Sequence, residues 1–343
     1  MPTPLTDRFW DDLESVGRQA NERAAETESL RHLPADLAGD MIATGAARLW
    51  VPEAYGGSQA SVAEVLDAIE RCAYWDGSLG WCVMIANTTA LNSGYLRADY
   101  ASQIFGDPAM AACGYGMPAG IGRRVDGGIR VSGHWQWGSG SSHSNWIGGG
   151  VRVVEQQPDG TDKTVLAPFV FFDRADVTLI DNWHVAGLKG TGSGDYVVTD
   201  AFVPEERWVS FANSPDPVVA SPLYRFSFLE ALQAWRVDGD RNKRPDEPST
   251  NSSRWRKDCR WSSKGLGERP VVQAELARAE AAGPLGQELH HRFDRCGLLG
   301  GGVRNRAMCD ESKRLIRLAA NHAVEQSVAG RPLLHPWWRL SRS

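Results

Sequence analysis

Apolar residues recur at threes and fours through roughly the first hundred positions, then switch to alternation, which predicts helices followed by strands. The segments 11–27 (DDLESVGRQANERAAET) and 36–50 (DLAGDMIATGAARLW) carry the helical period. The clearest stripe is 61–75, where Val62, Val65, Leu66 and Ile69 share a face and Ser61 is placed to cap it. Between them VPEAYGGS (51–58) is a Pro/Gly turn. The stretch SLGWCVMIANTTALNSGYL (78–96) is apolar on most sides, which predicts a central, enclosed helix.

From about Ala109 to Arg207 the period is two. The runs at 127–137, 145–155, 167–180 and 195–204 are β-branched or aromatic and bounded by Gly, Asp and Pro. QPDGTDK (157–163) separates two of them as a turn. A small antiparallel sandwich or barrel behind a helical domain is expected. The last third breaks the pattern. Helical text returns at 268–282 and 310–330, but the segments around 233–265, 283–309 and 331–343 are rich in Arg, Trp, Gly, Ser and Pro without an apolar period. Five of the fourteen tryptophans fall there. These three segments read like a GC-rich gene translated out of frame. Domains are thus expected at 1–108 (helical), 109–217 (β) and 218–343 (helical, disrupted).

A formal charge of -5 gives no net pull toward nucleic acid or anionic membrane, even with RWRKDCRW at 254–261. No apolar run reaches membrane-span length and the first residues are polar and acidic, so a cytoplasmic protein is expected. The six cysteines show no C-x-x-C pair, which argues for free thiols over zinc or a disulfide framework.

Two stretches carry candidate chemistry. From its residues alone WQWGSGSSHSNW (135–146) reads first as a hairpin whose rings fill a barrel and second as the wall of a ligand pocket. DNWHVAGLKGTGSGDYVV (181–198) departs from G-x-G-x-x-G and runs into a strand, so it does not aim a helix N-terminus at a phosphate. Taken with VPEAYGGS, DGSLGWC and the continuation to DAFVPEERW, in this order and spacing, the chain resembles the acyl-CoA dehydrogenase superfamily of flavoproteins. Within it, the text is most similar to the reduced-flavin-dependent, two-component monooxygenases.

The resemblance implies an α+β fold: helical N-terminal domain, middle β-barrel or sandwich, and a C-terminal helical bundle that drives homotetramer assembly. It implies a flavin (FAD or FMN) seated between β-domain and bundle, a separate flavin reductase as partner, and a small aromatic or polycyclic substrate to be hydroxylated. Trp135, Trp137 and Trp146 become candidate flavin walls. Ser139, Gly140, Ser141 and Ser142 become close-approach polar groups, with Ser139 the candidate catalytic hydroxyl beside flavin N5. CGYGMPAGIG (113–122) aligns with the superfamily's first flavin loop and makes Tyr115, Met117 and Pro118 candidate contacts. Thr191 and Ser193 are expected to reach the cofactor from the glycine-rich loop, read as a crossover feeding the strand at 195–204.

The chain also departs from the pattern. The late histidine of the monooxygenases has no counterpart, and His335 aligns with nothing. Asn87 and Asn92 stand on the central helix where several relatives carry histidine, and Gly194 stands where many have histidine after GTGS. His143 and His184 read as ring hydrogen-bond partners, His32 and His134 carry no partner signal, and His290–His291 lacks metal spacing. Two other readings follow: an acyl-CoA dehydrogenase oxidising an acyl thioester with FAD, and an inactive, frameshifted chain.

Overall fold

Helix α1 (Asp7–Glu22) starts where the Thr6 hydroxyl accepts from the Phe9 N–H, and it buries Leu13, Val16 and Ala20. Residues 4–210 and 216–225 are described in this computed structural model. Short helices α2 (Ala24–Leu30) and α3 (Ala35–Ala43) follow. Helix α4 (Val62–Trp75) opens with the expected Ser61 cap, made reciprocal by Glu64 in a capping box. Its stripe of Val65, Leu66 and Ile69 is fully enclosed, each contributing roughly 2 kcal/mol of apolar burial. Helix α5 (Gly77–Ala90), capped by Asp76, is buried on most sides as its composition predicts. It closes six residues earlier than the apolar run does, passing into a 3-10 turn at Leu91–Gly94. Helix α6 (Ala98–Phe105) ends the helical part.

Among the described residues eight strands form one sheet: β1 (Ala112–Val125), β2 (Gly128–Trp135), β3 (Trp146–Gln156), β4 (Asp162–Leu166), β5 (Phe169–Asp173), β6 (Val177–Ile180), β7 (Asp195–Pro204) and β8 (Trp208–Val209). Their order is β6-β7-β2-β1-β3-β5-β8, with β4 paired to β3. The sheet is mixed, which corrects the antiparallel expectation. The chain folds β1 onto β2 as a hairpin, then returns so that β3 pairs parallel to β1 on its other edge. Alternation alone reports which residues face the core; it carries no information on strand direction. The second correction concerns 181–194. Strands β6 and β7 are antiparallel neighbours, so this segment is the long end of a hairpin and not a crossover.

One core fills the inner face of the sheet, with Trp135 stacked on Tyr196 (centroids 5.3 Å, interplanar 9°) and tilted against Phe172. Residue Ile85 of α5 packs against this core, coupling the central helix to the sheet. Cys72, Cys82 and Cys113 are free buried thiols. The C-terminal readings lie outside the described residues: the disrupted segments, the helices at 268–282 and 310–330, Cys259, Cys296, Cys309, His290, His291 and His335. Among the described residues no helix is long and apolar enough to cross a membrane, and no group of metal-ligating side chains assembles.

Candidate functional site

Strand β1 breaks its ladder with β3 at Pro118, which has no N–H to donate. Tyr115 faces Gly149 and Pro118 faces Gly150, so Gly116 and Met117 bulge out of the pairing. Met117 is 60% exposed, Pro118 is exposed too, and Tyr115 is half-buried. Strand β2 ends at Trp135, and two residues later Trp137 adopts a left-handed backbone (φ 58°) that turns its indole outward, 54% exposed. Its ring meets Tyr115 edge-on at 5.5 Å. Tyr115 is held in turn by its backbone N–H, which donates to the Tyr196 hydroxyl, itself a donor to the Gly148 carbonyl. The result is an exposed apolar wall on a rigid footing, whose ring positions come from two strands.

Of the three tryptophans offered as walls, only Trp137 is exposed. Trp135 is enclosed in the core and donates its indole N–H to the Gly150 carbonyl at 2.9 Å. Trp146 is buried beneath the Arg207 guanidinium. Both lie in strands, where the pleat turns them inward; Trp137 lies just past a strand end, where the pleat no longer rules.

Beneath the wall runs a chain of hydroxyls. The Trp81 indole N–H of α5 donates to Ser139 Oγ at 2.9 Å. Ser139 Oγ lies 2.7 Å from Ser193 Oγ, which lies 2.5 Å from Thr191 Oγ1, and the Thr191 hydroxyl donates to the Leu188 carbonyl at 2.9 Å. Ser139 is 5% exposed, and Ser141, Thr191 and Ser193 are buried. Thr191 and Ser193, which the resemblance has reaching the cofactor, are themselves buried and hydrogen-bonded in line with Ser139. Trp81 escaped the sequence reading; only its spacing of four from Ile85 on the sheet-facing side of α5 hinted at it.

The turn 138–141 is tied down by its own backbone. The N–H groups of Gly138, Ser139, Gly140 and Ser141 donate to the carbonyls of Gly194, Trp137, Thr191 and Gly138. These four donors are used internally, so small residues here serve the close packing of two loops. Ser144 adds a bond from its hydroxyl to the Gly140 carbonyl, while Ser142 is exposed. The His143 ring is pushed down to about 4, first by burial and then by His32 nearby, and its enclosed Nδ1 has no partner among the described residues. Burial pushes the Cys113 thiol up to about 12, which leaves it inert.

The glycine-rich segment is gripped by the helical part. Arg31 places Nη2 within 2.6 Å of Asp181 Oδ1 and Nη1 at 2.8 Å from His184 Nδ1, while His32 bridges Thr191. The other polar candidates are structural. Asn87 accepts from the Trp50 N–H and donates to the Ala46 and Val83 carbonyls, and Asn92 donates to the Thr89 carbonyl. His134, which carries no partner signal in its neighbourhood of the chain, sits 2.7 Å from Asp195.

The model of the acyl-CoA dehydrogenase N-terminal domain matches residues 14–98. Over 276 residues the chain is 31% identical to an indole-3-acetate monooxygenase of Pseudomonas putida, covering 78% of this chain and 67% of that one. Over 203 residues it is 36% identical to the flavin-dependent monooxygenase oxygenase subunit HsaA of Rhodococcus jostii, covering 58% of this chain and 51% of that one. The crystal structure of 3-HSA hydroxylase from Rhodococcus sp. RHA1 superposes with a TM-score of 0.79 at 26% identity, covering 95% of this chain and 85% of that one. The chain spans 51% and 67% of the length of these two curated relatives. With its helical part, mixed sheet and exposed aromatic wall, the chain belongs to the acyl-CoA dehydrogenase superfamily, in the branch of reduced-flavin-dependent monooxygenases.

Proposed function

We propose that this chain acts as an oxygenase, taking reduced flavin from a separate flavin reductase and hydroxylating an aromatic or polycyclic small molecule. The observation that carries the reading is the exposed wall of Trp137, Tyr115, Met117 and Pro118 beside the buried hydroxyl of Ser139. A flat ring system needs such an apolar face with one polar contact at its edge. Trp137, with its neighbours Tyr115, Met117 and Pro118, would hold the ring, and Ser139 would meet its polar edge. Ser193 and, through it, Thr191 hold Ser139 by hydrogen bonds, and Gly140 and Ser141 belong to the same tied turn. When bound, reduced flavin supplies the two electrons that oxygen activation requires. Assembly as a homotetramer and a cytoplasmic setting belong to the same proposal.

The test supplies the purified full chain with a flavin reductase, NADH, FAD or FMN and labelled dioxygen, over a panel of phenols and indoles. Incorporation of one labelled oxygen atom into product is expected, dependent on the oxygenase. Loss of colour from oxidised flavin on anaerobic addition of an acyl-CoA, with no labelled product, would overturn the reading in favour of a dehydrogenase. Absence of both would leave the inactive chain as the correct description.

A further inference from the structure

Met41, Met84, Met110 and Met117 are the methionines among the described residues, and their surroundings divide them. The first three are each 3% exposed or less, whereas Met117 is 60% exposed. The backbone imposes this exposure. The β1–β2 ladder begins only at Ile121 and the β1–β3 ladder skips from Tyr115 to Pro118, so Met117 stands in the bulge with no strand residue opposite it. Gly150 lets that bulge lie directly on β3: a Cβ there would stand 2.4 Å from the Gly116 oxygen and 2.6 Å from the Met117 carbonyl carbon. The backbone is seated while the thioether is left in solvent. The thiols are shielded by contrast. Cys72, Cys82 and Cys113 are buried, and burial pushes all three well up, Cys72 and Cys113 to about 12, so none is present as the reactive thiolate. Among the described residues Met117 thus carries the accessible sulfur.

We infer that Met117 is an oxidative modification site: hydrogen peroxide converts its thioether to the sulfoxide, and the sulfoxide weakens the hold of the aromatic wall on a flavin. The effect on binding rests on the flavin reading above; the site itself does not. That chemistry also supplies the oxidant. Reduced flavin gives two electrons to dioxygen, which with two protons becomes hydrogen peroxide whenever no substrate takes up the oxygen. One peroxide oxygen then bonds to the Met117 sulfur, the O–O bond breaks, and the other oxygen leaves as water. The sulfur loses the two electrons that the peroxide gains. A flexible apolar side chain is replaced by a polar, chiral one at the face that meets the ring. Covering the sulfoxide oxygen with an apolar ring that offers it no donor corresponds to about a tenfold loss of affinity. Turnover that leaks peroxide thereby loosens its own cofactor, and sulfoxide reduction reverses the change.

The test treats the purified full chain with hydrogen peroxide and follows the methionine peptides by mass spectrometry. Met117 is expected to gain one oxygen at an initial rate at least about tenfold above those of Met41, Met84 and Met110. Initial rates within about twofold of one another at the four positions overturn the inference. Dissociation constants of FMN and FAD are then measured before and after treatment, for wild type and Met117→Leu. Oxidised wild type should bind about tenfold more weakly than untreated wild type. Methionine sulfoxide reductases acting on both sulfur epimers should restore it, which separates Met117 from oxidation of the Trp137 indole. Met117→Leu should change by less than about twofold against its own untreated form. An unchanged constant in wild type fully oxidised at Met117, or an equal loss in Met117→Leu, overturns the effect on the wall. Untreated chain that binds neither FMN nor FAD overturns the flavin reading instead, and the peptide map then still decides the modification site.

Discussion

Thr27 and Gly190 compete for one space: a Cβ on Gly190 would stand 2.2 Å from Thr27 Cγ2, and 2.9 Å from Ser78 Cβ. This contact lets the loop at 181–194 lie flush against α2 and the start of α5. Gly190→Ala is expected to destabilise the protein by about 1–3 kcal/mol, the range for overpacking a tight contact. Thr27→Ser, which deletes the nearest methyl, should recover part of that loss in the double variant. Urea melts of the four proteins give the coupling, and strictly additive effects would show that the loop relaxes elsewhere.

Trp137 holds a left-handed backbone without being glycine. Trp137→Gly should therefore be more stable than Trp137→Ala by about 1 kcal/mol, because only glycine adopts that conformation without strain. Both should lose flavin affinity to a similar extent, since both delete the wall. Denaturant melts with parallel flavin titrations separate the two effects. Equal stabilities would mean that the backbone at 137 changes once the indole is gone.

His143 links the site to pH. Its folded ring, pushed down to about 4, stays neutral while the unfolded ring protonates near 6.5. Between those values the unfolded chain binds the extra proton, so stability falls as pH drops from about 6.5 toward 4 and gains nothing further from this group above that window. His143→Gln should flatten this part of the melting-temperature profile relative to wild type. Parallel profiles would show that other groups account for the acid sensitivity.

The helical part and the strand positions were legible because each residue there is decided by a local repeat: the α4 stripe with its Ser61–Glu64 box is the plainest case. The site was legible only in part. Trp135, Trp137 and Trp146 look alike in sequence, and what separates them is whether the pleat continues through the residue. The parallel pairing of β1 with β3 and the role of Trp81 are settled by contacts between distant segments, which periodicity cannot carry. Thr191 and Ser193 were singled out as polar groups near the pocket, but which way they pointed depended on the Leu188 carbonyl behind them.

Ser139 meets Trp81 across 58 residues of chain and Ser193 across 54. No hairpin or helix formed early in folding contains such a pair, because closing loops of that size precedes any reward from the contact. The hydroxyl relay is thus among the last interactions to form and reports complete assembly of helices and sheet. A newly made chain therefore completes these contacts of Ser139 only once α5, the turn after β2 and the loop before β7 have come together.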